Sequence, residues 1–309
     1  MKSVKNLSGI NFLSSSDLSK TQILAILDLA SEFKNFDKRI NLPKKVLGLI
    51  FDKASTRTRV SFQVAMSRLG GSTIDLNPNT SQIGRGEPIK DTARVLSRYC
   101  DVLAIRTFSH KDLEEYAYWS SKPVINALTD LEHPCQALAD YLTIKEEFGV
   151  FEDVTLTYIG DGNNVANSLI LSGLLLGVKV RIACPKGFEP DKKIIQKVNK
   201  LSLDNQNLLI THDIEEAVDN TNVLYTDVWS SMGEEEGKEY KERNFSKYRI
   251  DTGLLKGANP NAIIMHCLPA YRGLEITDEA FECSKSRIFN QAENRLHAQQ
   301  ALLAYLLQI

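Results

Sequence analysis

The sequence predicts an α/β protein with two doubly wound parallel-sheet domains. Short apolar runs typical of buried strands alternate with stretches of helical spacing, and this alternation occurs twice along the chain. Strands joined by helices favour right-handed crossovers and parallel sheets. The 309 residues suffice for about two domains of ordinary size. We expect one domain over 1–145 plus a C-terminal helix at 291–309, and a second over 146–290. An active-site cleft between them, closed by that helix, is typical of this architecture.

The first half opens with an amphipathic helix over 17–34, where Leu18, Ile23 and Ile26 mark the apolar face. A helix after residue 55 ends at Gly70-Gly71, and Pro134 suits the first turn of another. The predicted strands of this half lie at 46–51, 72–76, 102–106 and 124–128, and the later helices at 91–99, 111–121 and 134–148.

The second half repeats the pattern until a charged stretch over 230–249 interrupts it. We interpret most of that stretch as a solvated loop, and the part next to Asp227 as a candidate lid. An apolar helix over 293–307 follows at the end of the chain. The predicted strands lie at 154–159, 178–183, 208–211, 223–227 and 262–266, and the other helices at 163–176 and 191–201, with a short one between the third and fourth strands.

The composition argues against several classes of protein. Lys and Arg number 37 against 39 Asp and Glu, so the formal net charge is −2, which does not suggest a nucleic-acid footprint or a basic membrane face. No apolar run is long enough to span a bilayer, and the amino terminus lacks the core of a signal peptide. Five scattered cysteines without a CxxC pair indicate reduced thiols rather than a disulfide framework or zinc site. We therefore expect a cytoplasmic protein without metal.

A strand-to-helix turn over 55–59 is the first candidate site. Its sequence, Ser-Thr-Arg-Thr-Arg, combines hydroxyls and the two guanidinium groups of Arg57 and Arg59 with the free N–H groups of a helix start. Arg can hold a phosphate through two parallel hydrogen bonds. The turn therefore suits a phosphate or similar dianion, although a capped helix with two solvated arginines would have the same sequence.

Other polar groups also follow predicted strands. Arg106 ends one strand, and His133 opens the helix that carries Gln136. A helix amino terminus disfavours a charged His, so His133 would stay neutral and donate to a carbonyl oxygen, unless it is only a cap.

The segment Gly160-Asp161-Gly162-Asn163-Asn164 invites a dinucleotide-binding interpretation. The Gly-x-Gly-x-x-Gly pattern requires Gly at 165, where Val165 stands, and the expected acidic residue after the next strand is missing. A nicotinamide cofactor is therefore disfavoured. Asn163 and Asn164 would instead present amides to a polar substrate.

Two further clusters follow the last strands. Asp227, ahead of Trp229-Ser230-Ser231-Met232-Gly233, can pair with an ammonium group. Cys267 in His-Cys-Leu-Pro would be an acid, a base or a substrate contact, unless it is a buried structural thiol. Arg295 is a further candidate anion ligand.

Together these clusters resemble the transcarbamylase family, in order and over nearly the whole chain. The matching segments are FDKASTRTRVSF (51–62), GRGEPIKDTARVLSRY (84–99), HPCQALAD (133–140), GDGNNVANS (160–168), DVWSSMG (227–233) and HCLPAYRG (266–273). The last two resemble the ornithine-specific branch. Asp52, Lys53 and Gln63 depart mildly from the pattern.

The resemblance implies a role for each matching residue. Carbamoyl phosphate would be held by Ser55, Thr56, Arg57, Thr58, Gln82, Arg106, His133, Gln136, Cys267, Leu268 and Arg295. Ornithine would be held by Asn164, Asp227, Ser231 and Met232. The residues that would act on the reacting atoms are Cys267, Arg106, His133, Asp227 and Thr58.

The resemblance also implies an activity, namely carbamoyl transfer from carbamoyl phosphate to the δ-amino group of L-ornithine, without a cofactor. It implies a homotrimer in which the Gln82 loop reaches a neighbouring subunit. The loop over 84–88 resembles biosynthetic members, which favours arginine biosynthesis. One alternative is a transcarbamylase that acts on another amine, namely aspartate, which Asp227 argues against, putrescine or an N-acylated ornithine. Another is a non-catalytic anion-binding scaffold, which would not need the residues that match the ornithine-binding set.

Overall fold

A computed structural model of the chain describes residues 7–36, 38–53, 55–77, 86–201, 203–230 and 238–308. The chain divides into two compact units, Met1–Leu142 with Glu293–Ile309, and Thr143–Ala292. Each unit contains one sheet in which every strand pair is parallel. The predicted fold class is thereby confirmed.

The first unit has a sheet of order β2-β1-β3-β4. Phe51 at the end of β1 pairs in register with Arg106 at the end of β3, so the segments that follow these two strands begin at the same edge of the sheet. Its strands are β1 (Val46–Phe51), β2 (Ser72–Leu76), β3 (Val102–Arg106) and β4 (Val124–Leu128), and its helices are α1 (Lys20–Asn35), α2 (Thr56–Arg68), α3 (Ile89–Tyr99), α4 (His110–Trp119) and α5 (Pro134–Phe148), which runs on into the second unit.

The second unit has a sheet of order β7-β6-β5-β8-β9. Thr226 pairs with Ile159 on one side and with His266 on the other, so the residues after β5, β8 and β9 emerge side by side. Its strands are β5 (Thr155–Ile159), β6 (Lys179–Ala183), β7 (Leu208–Thr211), β8 (Val223–Thr226) and β9 (Ile263–His266), and its helices are α6 (Asn164–Leu176), α7 (Lys192–Lys200), α8 (Ile214–Val218), α9 (Lys238–Phe245) and α10 (Asp278–Glu282).

The last helix, α11 (Ile288–Leu307), begins five residues before the predicted start at 293. Ile288 and Phe289 begin the helix, but the residues over 290–294 are mostly polar and interrupt the apolar pattern there. Two of these polar residues have partners, since Gln291 donates to the Tyr225 hydroxyl at 3.3 Å and Asn294 accepts from the Lys34 ammonium at 2.8 Å. These hydrogen bonds, together with the burial of Ile288, therefore support this end of the helix.

Part of the charged stretch over 230–249 is helical, where we had expected mostly a solvated loop. Helix α9 ends in Phe245, which is fully buried and packs on Phe188, Trp229 and Tyr248 with ring centroids 4.8, 5.8 and 6.1 Å away. The charged side chains conceal this one aromatic anchor in the sequence. Phe245 therefore anchors the end of the helix in the second unit's core, and Lys241 adds an ion pair with Asp161 at 2.9 Å.

No helix in the described part of the chain is long and apolar enough to cross a membrane.

Replacing Phe245 tests the anchoring of α9. We expect Phe245→Ala to lower the free energy of unfolding by about 3–5 kcal/mol, because the cavity left by a buried ring closes only in part. Tyr240 lies on the same helix with 65% of its surface exposed, and Tyr240→Ala should cost less than about 1 kcal/mol. Urea unfolding of both variants measures the difference, and equal losses would contradict the anchoring.

Candidate active site

The start of α2 has unused hydrogen-bonding capacity. Ser55 occupies the cap position, but its side chain makes no cap hydrogen bond to the helix. The Ser55 hydroxyl oxygen instead accepts from the Arg106 guanidinium at 3.3 Å. The first N–H groups of α2 are therefore left available to an anion, and Arg106 lies beside them.

Thr58 and Arg295 form the buried side of this cluster. The Arg295 guanidinium donates to the Thr58 hydroxyl oxygen at 2.6 Å, and the two residues are 4% and 1% exposed. Because that oxygen accepts from Arg295, the hydroxyl hydrogen of Thr58 can donate elsewhere. Thr58 therefore has a proton to offer to a ligand.

Positive charges face one another here. Burial lowers the pKa of Arg106 to about 10, with Arg295 and then Arg57 adding to the effect. Arg106 Nε is buried and has no hydrogen-bond partner among the described residues. Like charges held together destabilise one another, so this cluster favours a bound anion of high charge.

His133 is neutral in this setting. Burial holds its pKa well below the usual 6.5, and the charges of Arg295 and then Arg106 act in the same direction. The expected neutral state is thus supported, with burial and two arginines as its causes. A neutral imidazole donates a hydrogen bond without adding charge.

Gln136 has its amide orientation set by Asp140, one helical turn further along α5. The amide nitrogen of Gln136 donates to the Asp140 carboxylate at 3.0 Å. The amide oxygen is then the other end, and it is buried without a partner among the described residues. Gln136 therefore offers an acceptor, which suits an N–H group of a ligand.

Arg59 differs from the expectation for the turn. It forms an ion pair with Asp75 on β2, and its guanidinium lies over the Phe51 ring, 5.0 Å from the centroid. The charge of Arg59 is therefore balanced within the first unit, and of the two guanidinium groups in the turn it is the one engaged elsewhere. Arg57 is exposed at the helix start and keeps the predicted role open.

Asp227 is the centre of the second unit's cluster. Its carboxylate accepts from the Cys267 thiol and from the Val228 N–H, both at 2.8 Å to Oδ1, and from the Asn163 amide at 2.8 Å to Oδ2. The side chain is 6% exposed. The thiol of Cys267 thus donates to Asp227, which links the two residues predicted to handle an amine.

His266 and Glu275 support the loop that carries Cys267 and Leu268. The Leu268 N–H donates to His266 Nδ1 at 2.8 Å, so the ring proton is on Nε2, which donates to Glu275 at 3.1 Å. Glu275 also accepts from the Tyr271 N–H at 2.5 Å. Leu268 is held with a φ of 59°, a left-handed backbone conformation that few non-glycine residues adopt.

Asp227, His266 and Cys267 place possible metal-binding atoms within 4.8 Å of one another. Both ring nitrogens of His266 are already hydrogen bonded, and the thiol donates to Asp227. Hydrogen bonds therefore account for this cluster without an ion.

The predicted residues thus fall into one cluster in each unit. In the first are Ser55, Thr58, Arg106, His133, Gln136 and Arg295, with Thr56 and Arg57 on the exposed side of the same helix turn. Asp227, Cys267 and Leu268 belong to the second cluster, and Asn164 begins α6 beside Asn163. Gln82, Ser231 and Met232 lie outside the described residues.

Three residues of these clusters escaped sequence reasoning in the roles they have here. Asp140 lies four residues after Gln136, and this helical spacing could have identified the pair. Asn163 was expected to face substrate, whereas its amide bonds to Asp227. Glu275 reaches His266 through an irregular loop, and no sequence pattern indicates that contact.

Comparison with known proteins relates both clusters to one family. The model of the carbamoyl-P binding domain of aspartate/ornithine carbamoyltransferase matches residues 11–146, and that of the Asp/Orn binding domain matches residues 152–306. An ornithine carbamoyltransferase of Prochlorococcus marinus subsp. pastoris is 69% identical over 297 residues, covering 96% of each chain.

Solved structures agree with this relationship. The chain is similar to ornithine carbamoyltransferase from Pyrococcus furiosus, with a TM-score of 0.92, 46% identity and coverage of 98% of this chain and 99% of that one. It is also similar to the anabolic ornithine carbamoyltransferase of Campylobacter jejuni, with a TM-score of 0.89, 41% identity and coverage of 95% and 97%.

The lowered pKa of His133 predicts a pH dependence of stability. Between that pKa and about 6.5, the unfolded chain binds a proton that the folded chain does not, so stability rises with pH in this window and is lost as the pH falls. His133→Gln removes this difference. Urea unfolding between pH 5 and 6.5 should show a steeper fall for the unmodified protein, by up to about 1.4 kcal/mol per pH unit. Parallel curves would show that His133 is not held neutral.

Proposed function

The chain belongs to the aspartate/ornithine carbamoyltransferase family, and from this premise we propose that it transfers the carbamoyl group of carbamoyl phosphate to the δ-amino group of L-ornithine. The products are L-citrulline and phosphate. The observation that carries the proposal is the pairing of two unlike clusters in one chain. One is cationic and suits a dianion, and the other is built around a carboxylate and suits an amine.

Carbamoyl phosphate is the ligand that we propose for the first cluster. Its phosphate matches the free N–H groups of α2, the hydroxyls of Ser55 and Thr56, and Arg57. Arg106 and Arg295 add charge on the buried side. Gln82 would join this cluster from a neighbouring subunit, and Leu268 and Cys267 would line the reacting centre.

The carbamoyl end matches the hydrogen-bonding groups on the buried side of the cluster. Its amide N–H suits the acceptor oxygen of Gln136, whose other end is bonded to Asp140. Its carbonyl oxygen suits three donors, namely Thr58, Arg106 and neutral His133. Negative charge develops on this oxygen during attack, and preorganised donors lower the barrier by stabilising it.

Ornithine is the ligand that we propose for the second cluster. The Asp227 carboxylate suits an ammonium group, and Asn164, Ser231 and Met232 would hold the rest of the amino acid. Cys267 donates its thiol proton to Asp227, so these two groups form one hydrogen-bonded unit next to the attacking amine. We propose that this unit helps to supply the amine in its neutral, nucleophilic form.

The reaction forms a C–N bond and breaks the bond between the carbamoyl carbon and the phosphate oxygen. The amine loses a proton, which the departing phosphate can accept. Carbamoyl phosphate already carries its leaving group, so we propose that the step needs neither metal nor organic cofactor. Attack requires the amine to meet the carbamoyl carbon, so the cleft expected from the sequence stays part of this proposal, and it would limit competing attack by water.

We further propose a cytoplasmic enzyme of arginine biosynthesis. The thiols of Cys100, Cys135, Cys184 and Cys283 are free, as in a reducing compartment. The resemblance of residues 84–88 to biosynthetic members supports the direction, and the relative from Campylobacter jejuni is named as anabolic.

A homotrimer is the assembly that we propose. The first unit exposes apolar side chains on α2 and on the edge strand β2, with Val60, Val64 and Ile74 having 49, 36 and 42% of their surfaces accessible. Strand β2 leads directly to the segment that contains Gln82. A second copy of the chain would cover this surface and bring that loop to a neighbouring site.

Arg57 tests the phosphate role and the activity together. We expect Arg57→Ala to reduce citrulline formation by at least about 10³-fold while the fold survives, because one charge-assisted grip on the leaving phosphate is lost. Arg68, at the other end of the same helix, provides the control, and Arg68→Ala should keep its activity.

The assay uses carbamoyl phosphate with ornithine, putrescine, N-acetylornithine and aspartate as acceptors. Citrulline should be the main product. A preference for another amine would replace ornithine as the substrate, and near-normal turnover by Arg57→Ala would contradict the site assignment.

Charge on the exposed face of α2 tests the assembly. We expect Val64→Glu to dissociate a trimer of about 104 kDa, three times the 34.6 kDa chain, because an unpaired carboxylate would be buried at the contact. Light scattering after gel filtration measures the mass. Tyr118→Glu places the same charge on α4, at a residue that is 77% exposed, and should leave the trimer intact. A monomeric unmodified protein would contradict the proposal.

A further inference from the structure

The side-chain amide of Asn163 joins a helix start to the carboxylate of Asp227. Its oxygen accepts from the N–H groups of Val165 and Ala166 at 2.9 and 3.2 Å, at the start of α6. Its nitrogen donates to Asp227 Oδ2 at 2.8 Å. One residue therefore caps a helix and holds a carboxylate.

The orientation of this amide follows from its neighbours. The Tyr158 hydroxyl also donates to the Asn163 oxygen, at 3.3 Å. Burial raises the pKa of Tyr158 well above its usual value, so the hydroxyl keeps its proton and remains a donor. Three donors on one side identify that end as the oxygen and leave the NH₂ end facing Asp227.

Backbone packing holds Asn163 in place. Gly162 precedes it and donates to the Phe188 carbonyl at 2.9 Å, and a Cβ on Gly162 would overlap the backbone of Glu189 and Pro190. Tyr158 stacks on Tyr225 with centroids 5.8 Å apart. The amide therefore has a rigid support on both sides.

The Asp227 carboxylate has few acceptor positions left for a further hydrogen bond. A carboxylate offers about four acceptor positions. In the part of the chain that the structure describes, Cys267 and Val228 take two on Oδ1, and Asn163 takes one on Oδ2. The remaining position is on Oδ2, and its direction depends on the bond from Asn163.

We propose that Asn163, braced by Tyr158, is a positioning residue that aims Asp227 Oδ2 at the ammonium group of the amine substrate. This proposal rests on the function proposed above. Asn163 does not touch the substrate in this role, because its amide nitrogen is directed at Asp227 and its oxygen at α6. The capping bonds alone would not require the NH₂ group, since Ser and Asp cap helices equally well.

Two variants separate the positioning role from the cap. Asn163→Ser keeps a capping oxygen and removes the NH₂ donor. We expect the KM for ornithine to rise about 10- to 100-fold, the range that corresponds to a hydrogen bond to a charged group. The KM for carbamoyl phosphate should change by less than about twofold.

Asp213 provides the matched control. It caps α8 by accepting from the N–H groups of Glu215 and Glu216, the same two positions that Asn163 serves in α6. Asp213→Ser should leave both KM values unchanged. An effect of Asn163→Ser no larger than that of Asp213→Ser would reduce Asn163 to a cap and overturn the proposal.

Asn163→Asp should give a pH dependence of kcat/KM for ornithine that would not arise if Asn163 were only a helix cap. Two carboxylates at this separation cannot both ionise easily, so one pKa of the pair rises. Below that pKa the protonated Asp donates to Asp227 as the amide did, and above it the two repel. The ratio of kcat/KM for ornithine between unmodified enzyme and variant should therefore shrink as the pH falls, and a pH-independent ratio would contradict the proposal.

A crystal structure of free Asn163→Ser decides the proposal without an activity. We expect the Asp227 carboxylate to turn from the direction it has in the unmodified enzyme or to occupy two rotamers, and an unchanged Asp227 would overturn the role of Asn163. If the unmodified enzyme makes no citrulline, the proposed function fails, and this structure still tests the positioning of Asp227.

Discussion

Like charges held close together are the constraint on which the first cluster depends. The fold buries Arg106 close to Arg295 and Arg57, and burial, with the two neighbouring charges adding to it, lowers the pKa of Arg106 to about 10. Such an arrangement is maintained by the surrounding packing, because the charges themselves oppose it. Burial, reinforced by the charges of Arg295 and Arg106, likewise holds the pKa of His133 well below its usual value. A dianion would relieve the repulsion, and the arginine charges that favour such a ligand also add to the effect of burial on the pKa of His133.

The second cluster, which we propose binds an amine, does not depend on a concentration of charge as the first cluster does. Asp227 is surrounded by donors rather than by opposite charges, and each donor is tied to the backbone of a different strand end. The fold therefore controls the orientation of the Asp227 carboxylate rather than the density of charge around it. This contrast matches the two ligands that we propose, since a phosphate binds wherever positive charge is dense, whereas an amine has to approach a carbon along a defined line.

Much of this was predictable from sequence, for reasons that particular residues make clear. Apolar periodicity located the strands, and polar residues at strand ends pointed to Arg106, Asp227 and Cys267, because parallel strands deliver their carboxyl ends to one edge. The predicted start of α11 is five residues late, because polar residues follow Ile288 and their partners, such as those of Gln291 and Asn294, are set by tertiary structure. The helix over 238–245 does not follow from the sequence pattern, because its supports are tertiary contacts, namely the buried ring of Phe245 and the ion pair of Lys241 with Asp161. Arg59 and Glu275 could not be assigned, because their partners are set by tertiary structure and not by spacing.

The ion pair between Arg59 and Asp75 has a consequence outside the chemistry. Strand β2 is an edge of its sheet, and an edge strand with exposed apolar residues is a template to which other chains can add. Asp75 places a charge on that edge, and Arg59 fixes its position from the neighbouring helix. A single copy of the chain therefore carries a charge that opposes strand addition at this edge. Arg59, which lies in the turn that begins α2, thus fixes a charge on the sheet edge, where a charged side chain disfavours edge-to-edge pairing.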